Sequence, residues 1–178
     1  TLRTATSIGS IFNVTFGPLA AGTYYYNWTV NDTLGNTNTT ATFSYVVNQA
    51  TPVINVSLTP SATVQYPTAV NASCIQIVGD SDSTLQLFKN GTLINTGLTP
   101  ISNVSTDSAG SYNYTCAYVT SQNFTSATQE ADLSVGKATG VVILTLDGLQ
   151  SNLSVSQGDT VNITANLTNG TGTLELLN

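Results

Sequence analysis

The 178-residue chain repeats itself. Ala21-Gly22-Thr23-Tyr24-Tyr25-Tyr26-Asn27-Trp28 aligns with Ala109-Gly110-Ser111-Tyr112-Asn113-Tyr114-Thr115-Cys116 at an offset of 88 residues, and Ala50-Thr51-Pro52-Val53 aligns with Ala138-Thr139-Gly140-Val141 at the same offset. Val70-Asn71 matches Val161-Asn162 at 91, and Thr84-Leu85-Gln86-Leu87 matches Thr173-Leu174-Glu175-Leu176 at 89. Such a period is the size of one β-sandwich domain and well beyond the roughly 20–50 residues of a solenoid repeat, so the pattern describes a tandem domain array.

The phase of the repeat divides the chain unevenly. Residues 51–136 form one complete unit, residues 137–178 reproduce only its first half, and residues 1–50 only its second half. The expected organisation is one complete domain flanked by two half-domains, with the chain starting and stopping inside domains. In a sandwich with an odd number of strands the chain enters at one end and leaves at the other. At ~3.3 Å per residue those ends lie roughly 30–40 Å apart. The joints Ala50-Thr51-Pro52 and Gly136-Lys137-Ala138 are too short to span that distance, so the halves are not expected to close on each other. Two arrangements remain: one repeat of a longer polypeptide, or a separate chain whose C-terminal half completes the N-terminal half of the next copy. Both give a linear, head-to-tail array.

Short alternating runs rich in Val, Ile, Thr, Tyr and Phe predict strands at Val53–Leu58, Ala69–Ile75, Leu85–Lys89, Tyr112–Val119 and Glu130–Val135. No window holds a helical period, so the class is all-β. Hydrophobic residues make up 40% of the chain, enough for cores, yet only 12 residues are charged. Three scattered cations, Arg3, Lys89 and Lys137, against nine acids leave no basic patch for a phosphate backbone, so nucleic acid is not an expected partner. No apolar run is long enough to span a bilayer, and no charged and apolar leader opens the segment.

Residues 51–136 resemble an immunoglobulin-like domain. The resemblance is carried by Cys74 in Val70-Asn71-Ala72-Ser73-Cys74 and Cys116 in Tyr112-Asn113-Tyr114-Thr115-Cys116, by Tyr114 at the tyrosine-corner position, and by the Asp107-Ser108-Ala109-Gly110 turn before it. Two cysteines alone leave a free buried pair open. The resemblance implies an inter-sheet Cys74–Cys116 disulfide and an oxidising compartment. Leu85 and Leu87 depart from the pattern, standing where the family has its core Trp. The unit is closer to repeats of archaeal and bacterial surface proteins than to antibody domains. In the flanking halves the cysteine positions hold Ala165 and Trp28. The indole is therefore expected to fill the volume of the disulfide, with Tyr26 in the same core; the competing reading makes Trp28 an exposed binding aromatic.

Asn-x-Ser/Thr begins at Asn13, Asn27, Asn31, Asn38, Asn55, Asn71, Asn90, Asn103, Asn113, Asn123, Asn152, Asn162, Asn166 and Asn169, which is 14 of 18 asparagines. With 49 Ser and Thr in the chain, chance supplies about five, so dense N-glycosylation with partial occupancy is expected. The middle residue is often apolar, as in Val14, Trp28, Val56, Ala72, Val104, Tyr114, Phe124, Leu153, Ile163 and Leu167. In a strand this spacing turns Asn and Ser/Thr to solvent and the middle residue to the core. Alternation in an Asn- and Thr-rich β protein makes some sequons by itself, but Asn90-Gly91-Thr92 and Asn169-Gly170-Thr171 fall in loops.

Nothing points to catalysis. With no His the usual base is missing, and the nine acids are dispersed. Asp80-Ser81-Asp82 lacks the Gly and bidentate Glu of a calcium loop and reads as a solvated turn. No metal, cofactor or small-molecule substrate is expected; covalent N-glycans are. Tyr24 and Tyr26 are expected inward with Trp28, and Tyr25 outward. The expected function is a structural subunit of an extracellular glycosylated filament or stalk whose partners are copies of itself. Alternatives are an adhesin or receptor module, with the sequon-free loops Asp80–Ser83 and Gly97–Pro100 as the places to look, and a component of a two-dimensional surface lattice.

Overall fold

The computed structural model describes residues 5–169 and 173–176. The N-terminal strands are β1 (Thr6–Ile8), β2 (Ile11–Asn13), β3 (Gly22–Tyr26), β4 (Thr29–Asn31), β5 (Thr37–Thr39) and β6 (Phe43–Val47), and they make three antiparallel pairs, β1–β2, β3–β6 and β4–β5. The central strands are β7 (Val53–Thr59), β8 (Thr63–Gln65), β9 (Val70–Val78), β10 (Leu85–Lys89), β11 (Thr92–Gly97), β12 (Ile101–Ser105), β13 (Gly110–Tyr118) and β14 (Ala127–Gly136). A C-terminal hairpin joins β15 (Val141–Leu146) to β16 (Ile163–Asn169). The five strands expected from alternation in the central unit all form, each with ends within three residues of the expected ones.

The central strands build an immunoglobulin-like β-sandwich. One sheet has the order β11-β10-β13-β14-β8 and the other β12-β9-β7. Its eight strands, where an odd number is expected from the sequence, arise because the first strand is split. Pro60 has no N–H for the ladder, and the chain beyond it crosses to the other sheet, where Val64 pairs with Val135 in parallel.

Alternation puts Ile54 and Val56 of β7, Val70, Ala72 and Cys74 of β9, Leu85 and Leu87 of β10, and Tyr114, Cys116 and Tyr118 of β13 into one core. Cys74 and Cys116 form a disulfide between the two sheets, with Cα atoms 5.4 Å apart. Leu87 lies directly opposite Cys116 in the β10–β13 ladder, and neither side chain has exposed surface. The leucine thus packs on the bridge in the place of an indole.

The flanking hairpins copy the central ladders. The β3–β6 pairs Gly22↔Val47, Tyr24↔Tyr45 and Tyr26↔Phe43 become the β13–β14 pairs Gly110↔Val135, Tyr112↔Leu133 and Tyr114↔Ala131 when 88 is added to each number. Tyr24 Oη donates to the Ala20 carbonyl at 2.8 Å, as Tyr112 Oη does to Ser108 at 2.9 Å. The β15–β16 pairs Val142↔Leu167, Leu144↔Ala165 and Leu146↔Ile163 correspond to Ile54↔Gln76, Val56↔Cys74 and Leu58↔Ala72 of β7–β9. Even the register shift recurs, between Val141 and Val142 as between Val53 and Ile54.

Candidate functional site

The sequon asparagines divide by environment. Asn13, Asn27, Asn31, Asn38, Asn55, Asn90, Asn152, Asn162, Asn166 and Asn169 are exposed, whereas Asn71, Asn103, Asn113 and Asn123 are half-buried. Gly170 and Thr171 of the last sequon lie outside the described residues, as do Arg3 and Leu177. Asn55-Val56-Ser57 follows the expected alternation, with Val56 buried and both polar neighbours exposed. Asn113-Tyr114-Thr115 does so in weaker form, since Asn113 Nδ2 donates to Asp132 Oδ1 at 3.0 Å.

Asn103-Val104-Ser105 breaks the rule, and the expectation for Val104 is corrected: it is 66% exposed. Strand β12 is phased by Ile101, which enters the core, so the side chains at 103 and 105 follow it inward while Val104 faces out. Asn71 Oδ1 is buried and has no hydrogen-bond partner.

The side chains that copy the core of the central domain are uncovered in the flanking halves. Tyr26 and Tyr45, matching the buried Tyr114 and Leu133, are 48% and 58% exposed. Trp28, matching Cys116, is 43% exposed. In the C-terminal half Val142, Leu144 and Ile163 are exposed where Ile54, Val56 and Ala72 are buried, and Ala165 is exposed where Cys74 is buried. Leu174 and Leu176, matching the fully buried Leu85 and Leu87, are also exposed. Among the described residues, therefore, Tyr26, Trp28 and Ala165 lie in no core, because no second sheet covers either hairpin. Tyr24 is half-buried and Tyr25 fully outward.

Tyrosines fasten β13 at mid-strand and at its C-terminal end. At mid-strand Tyr114 Oη lies 3.1 Å from Ser105 Oγ and 3.3 Å from Asp107 Oδ2, and Ser105 donates to Asp107 at 2.9 Å. Lys89 forms an ion pair with Asp107, and its Nζ sits 4.7 Å from the Tyr112 ring centroid. Burial alone pushes the Asp107 carboxyl up and the Lys89 ammonium down; their mutual hydrogen bond, with Ser105 and Tyr114, reverses both, leaving Asp107 below and Lys89 above its ordinary value.

At the C-terminal end of β13 Tyr118 Oη receives a hydrogen bond from the Asp80 amide at 3.0 Å and donates to Ser83 Oγ at 2.7 Å. Asp80 is not the solvated turn residue expected from its acidic neighbourhood. Its carboxylate accepts Ser121 Oγ at 2.6 Å, Asn123 Nδ2 at 3.0 Å and the Asn123 amide at 3.2 Å, and these bonds, the Ser121 one foremost, hold its pKa low. Asn123 Oδ1 then accepts the Ala21 amide at 2.9 Å, the Asn123 carbonyl accepts the Ala50 amide at 2.8 Å, and Gln49 Nε2 donates to the Ser121 carbonyl at 2.7 Å. The sequon Asn123 is thus the joint between the first 50 residues and the central sandwich. A sugar on Nδ2 leaves one amide hydrogen, which the Asp80 contact uses. A cleft of about 390 Å³ opens beside this joint, lined by Asp80, Asp82, Ser83, Thr84 and residues 119–123.

Among the described residues no three His, Cys, Asp or Glu side chains are grouped to hold a metal ion, and no helix is long and apolar enough to cross a membrane. No protein-family model matches the chain, and no curated protein does. Among solved structures, the fibronectin(III)-like modules of CbhA from Clostridium thermocellum align with 66% of this chain at 10% identity and a TM-score of 0.42. This chain spans 64% of that one, less than two thirds of its length. The CARDB domain of the PF1109 protein from Pyrococcus furiosus aligns with 49% of this chain and 96% of its own, at 16% identity and a TM-score of 0.35.

Proposed function

We propose that this chain is the repeating unit of an extracellular, N-glycosylated filament or stalk built head to tail from immunoglobulin-like domains, each split domain being completed by the neighbouring repeat. The observation that carries this reading is the matched exposure of the two flanking halves. Position for position, they leave open the apolar side chains that the central sandwich buries. Contiguous apolar surface beyond a few hundred Å² marks an interaction site on a soluble protein. An array of such units is held together mechanically: a disulfide across each central domain, a hydrogen-bonded joint at Ala50 and Asn123, and sugars over outward strand faces. Electron microscopy of the assembled material tests it. Unbranched threads one domain wide are expected; a chain that stays monomeric at micromolar concentration, or packs into a flat lattice, overturns the reading.

A further inference from the structure

Resting on that reading, the geometry points to a specific interface: the C-terminal half of one copy docks on the N-terminal half of a second copy in the strand order and register of the central sandwich. Three correspondences set that register. The β13–β14 ladder is reproduced by β3–β6 and the β7–β9 ladder by β15–β16. In the central domain β10 lies on the other edge of β13, with Leu85 opposite Tyr118 and Leu87 opposite Cys116. Among the described residues the equivalent edge, along β3 and its continuation through Trp28 into β4, has no strand on it, and the equivalents of Leu85 and Leu87 are Leu174 and Leu176. Added there as a strand, they place Leu174 opposite Val30 and Leu176 opposite Trp28 of the second copy. Finally, Ile11-Phe12-Asn13-Val14-Thr15 aligns with Ile101-Ser102-Asn103-Val104-Ser105 at an offset of 90, so β2 stands for β12. Since β12 pairs with β9 through Ile101↔Cys74 and Ser102↔Ser73, β2 meets the open edge of β16 through Ile11↔Ala165 and Phe12↔Thr164.

Size and charge agree with a second copy as the occupant. Tyr26, Trp28, Phe43 and Tyr45 are each about half exposed. At roughly 150–250 Å² apiece they alone offer on the order of 400 Å². The aliphatic side chains and strand edges opposite bring each side toward the roughly 800 Å² of a standard interface. Among the described residues no charge is buried: Asp32, Lys137, Asp147, Asp159 and Glu175 all fall outside the core-equivalent positions, Glu175 being the outward residue between Leu174 and Leu176. The indole of Trp28 then lies over Ala165 of the other copy, as Cys116 lies over Cys74.

The test moves the disulfide of the central domain onto the interface. The full chain carrying Trp28→Cys and Ala165→Cys, oxidised and run without reductant, is expected to give a ladder of integer multiples of the chain mass that collapses on reduction. Either single variant alone, with no cysteine opposite its own, should stay at the mass of one chain, and the two single variants mixed should stop at the dimer. Because loss of Trp28 can itself impair folding, the exposed pair Phe12→Cys and Thr164→Cys is run in parallel and is expected to give the same ladder. The unsubstituted chain reports separately on assembly. If it assembles and neither double variant yields a ladder, the register is wrong and the filament stands. A cross-link confined to the single chain shows that the halves close on each other and overturns the inference. If the unsubstituted chain does not assemble, the filament and the interface both fall.

Discussion

Tyr118 Oη donates to Ser83 Oγ at 2.7 Å from a side chain that is almost wholly buried. The hydroxyl also accepts the Asp80 amide, so this tyrosine ties the β9–β10 loop to the end of β13. Tyr118→Phe keeps the ring and leaves both partners short of a bond, which costs about 1–3 kcal/mol. Denaturant titration should show a lower midpoint with an unchanged slope; an unchanged midpoint means that water replaces the hydroxyl.

Leu87 fills the site beside the disulfide. Leu87→Ala opens a cavity at a fully buried core position and should cost about 2–5 kcal/mol. Val104→Ala, on the outward face of β12, should stay within about 0.5 kcal/mol of the parent. Comparable losses at the two sites would contradict the phasing of β12.

The Cys74–Cys116 bridge closes a loop with a sequence separation of 42. Chain entropy gives such a bridge about 4 kcal/mol of stabilisation. Unfolding with and without reductant should differ by that order, and an identical midpoint after verified reduction would count against it.

Acid and base act on the Lys89–Asp107 pair from opposite sides. The Asp107 pKa is lower folded than its ordinary 3.8, so its contribution is complete above that pH and is lost as the pH falls below it. The Lys89 pKa is raised above 10.5, so its contribution is complete below that value and is lost as the pH climbs through the raised one. Stability should be level between these limits as far as this pair is concerned. Asp107→Asn should lower the plateau and flatten the acid limb; a variant with an unaltered acid limb would assign that limb elsewhere.

Intact mass tests the sequons. Material from the native source should exceed 18.5 kDa per unit by a distribution of glycan masses. Asn55→Gln should remove one increment, because Asn55 is exposed on β7. A spectrum holding only the polypeptide mass refutes the modification.

The central sandwich was legible because its strands alternate cleanly and its cysteines fall on strands that face each other. Residues such as Leu85, Leu87 and Tyr114 announce their burial by period two alone. The Asp80 joint was not legible, since its partners Ser121 and Asn123 lie 41 and 43 residues away. Side-chain hydrogen bonds across loops leave no period in a sequence. Tyr118 carried a usable signal: it shares the inward face with Tyr114 and Cys116. Val104 misled because the sequon spacing fixes only that its neighbours point the other way, and Ile101 decided which way that was.

The scarcity of ion pairs has a consequence for where such a chain can work. Lys89–Asp107 is the one salt bridge among the described residues, and both side chains are largely withdrawn from solvent. Raising ionic strength shortens the reach of exposed charges from about 10 Å at 0.1 M to about 3 Å at 1 M, and here, among the described residues, it has no exposed ion pair to weaken and only the mutual repulsion of exposed acids such as Asp82, Glu130 and Asp132 to screen. Brine therefore takes no surface ion pair from this fold while it relieves the repulsion among its acids, and excluded salts such as sulfate add to that by tightening the burial of its apolar core.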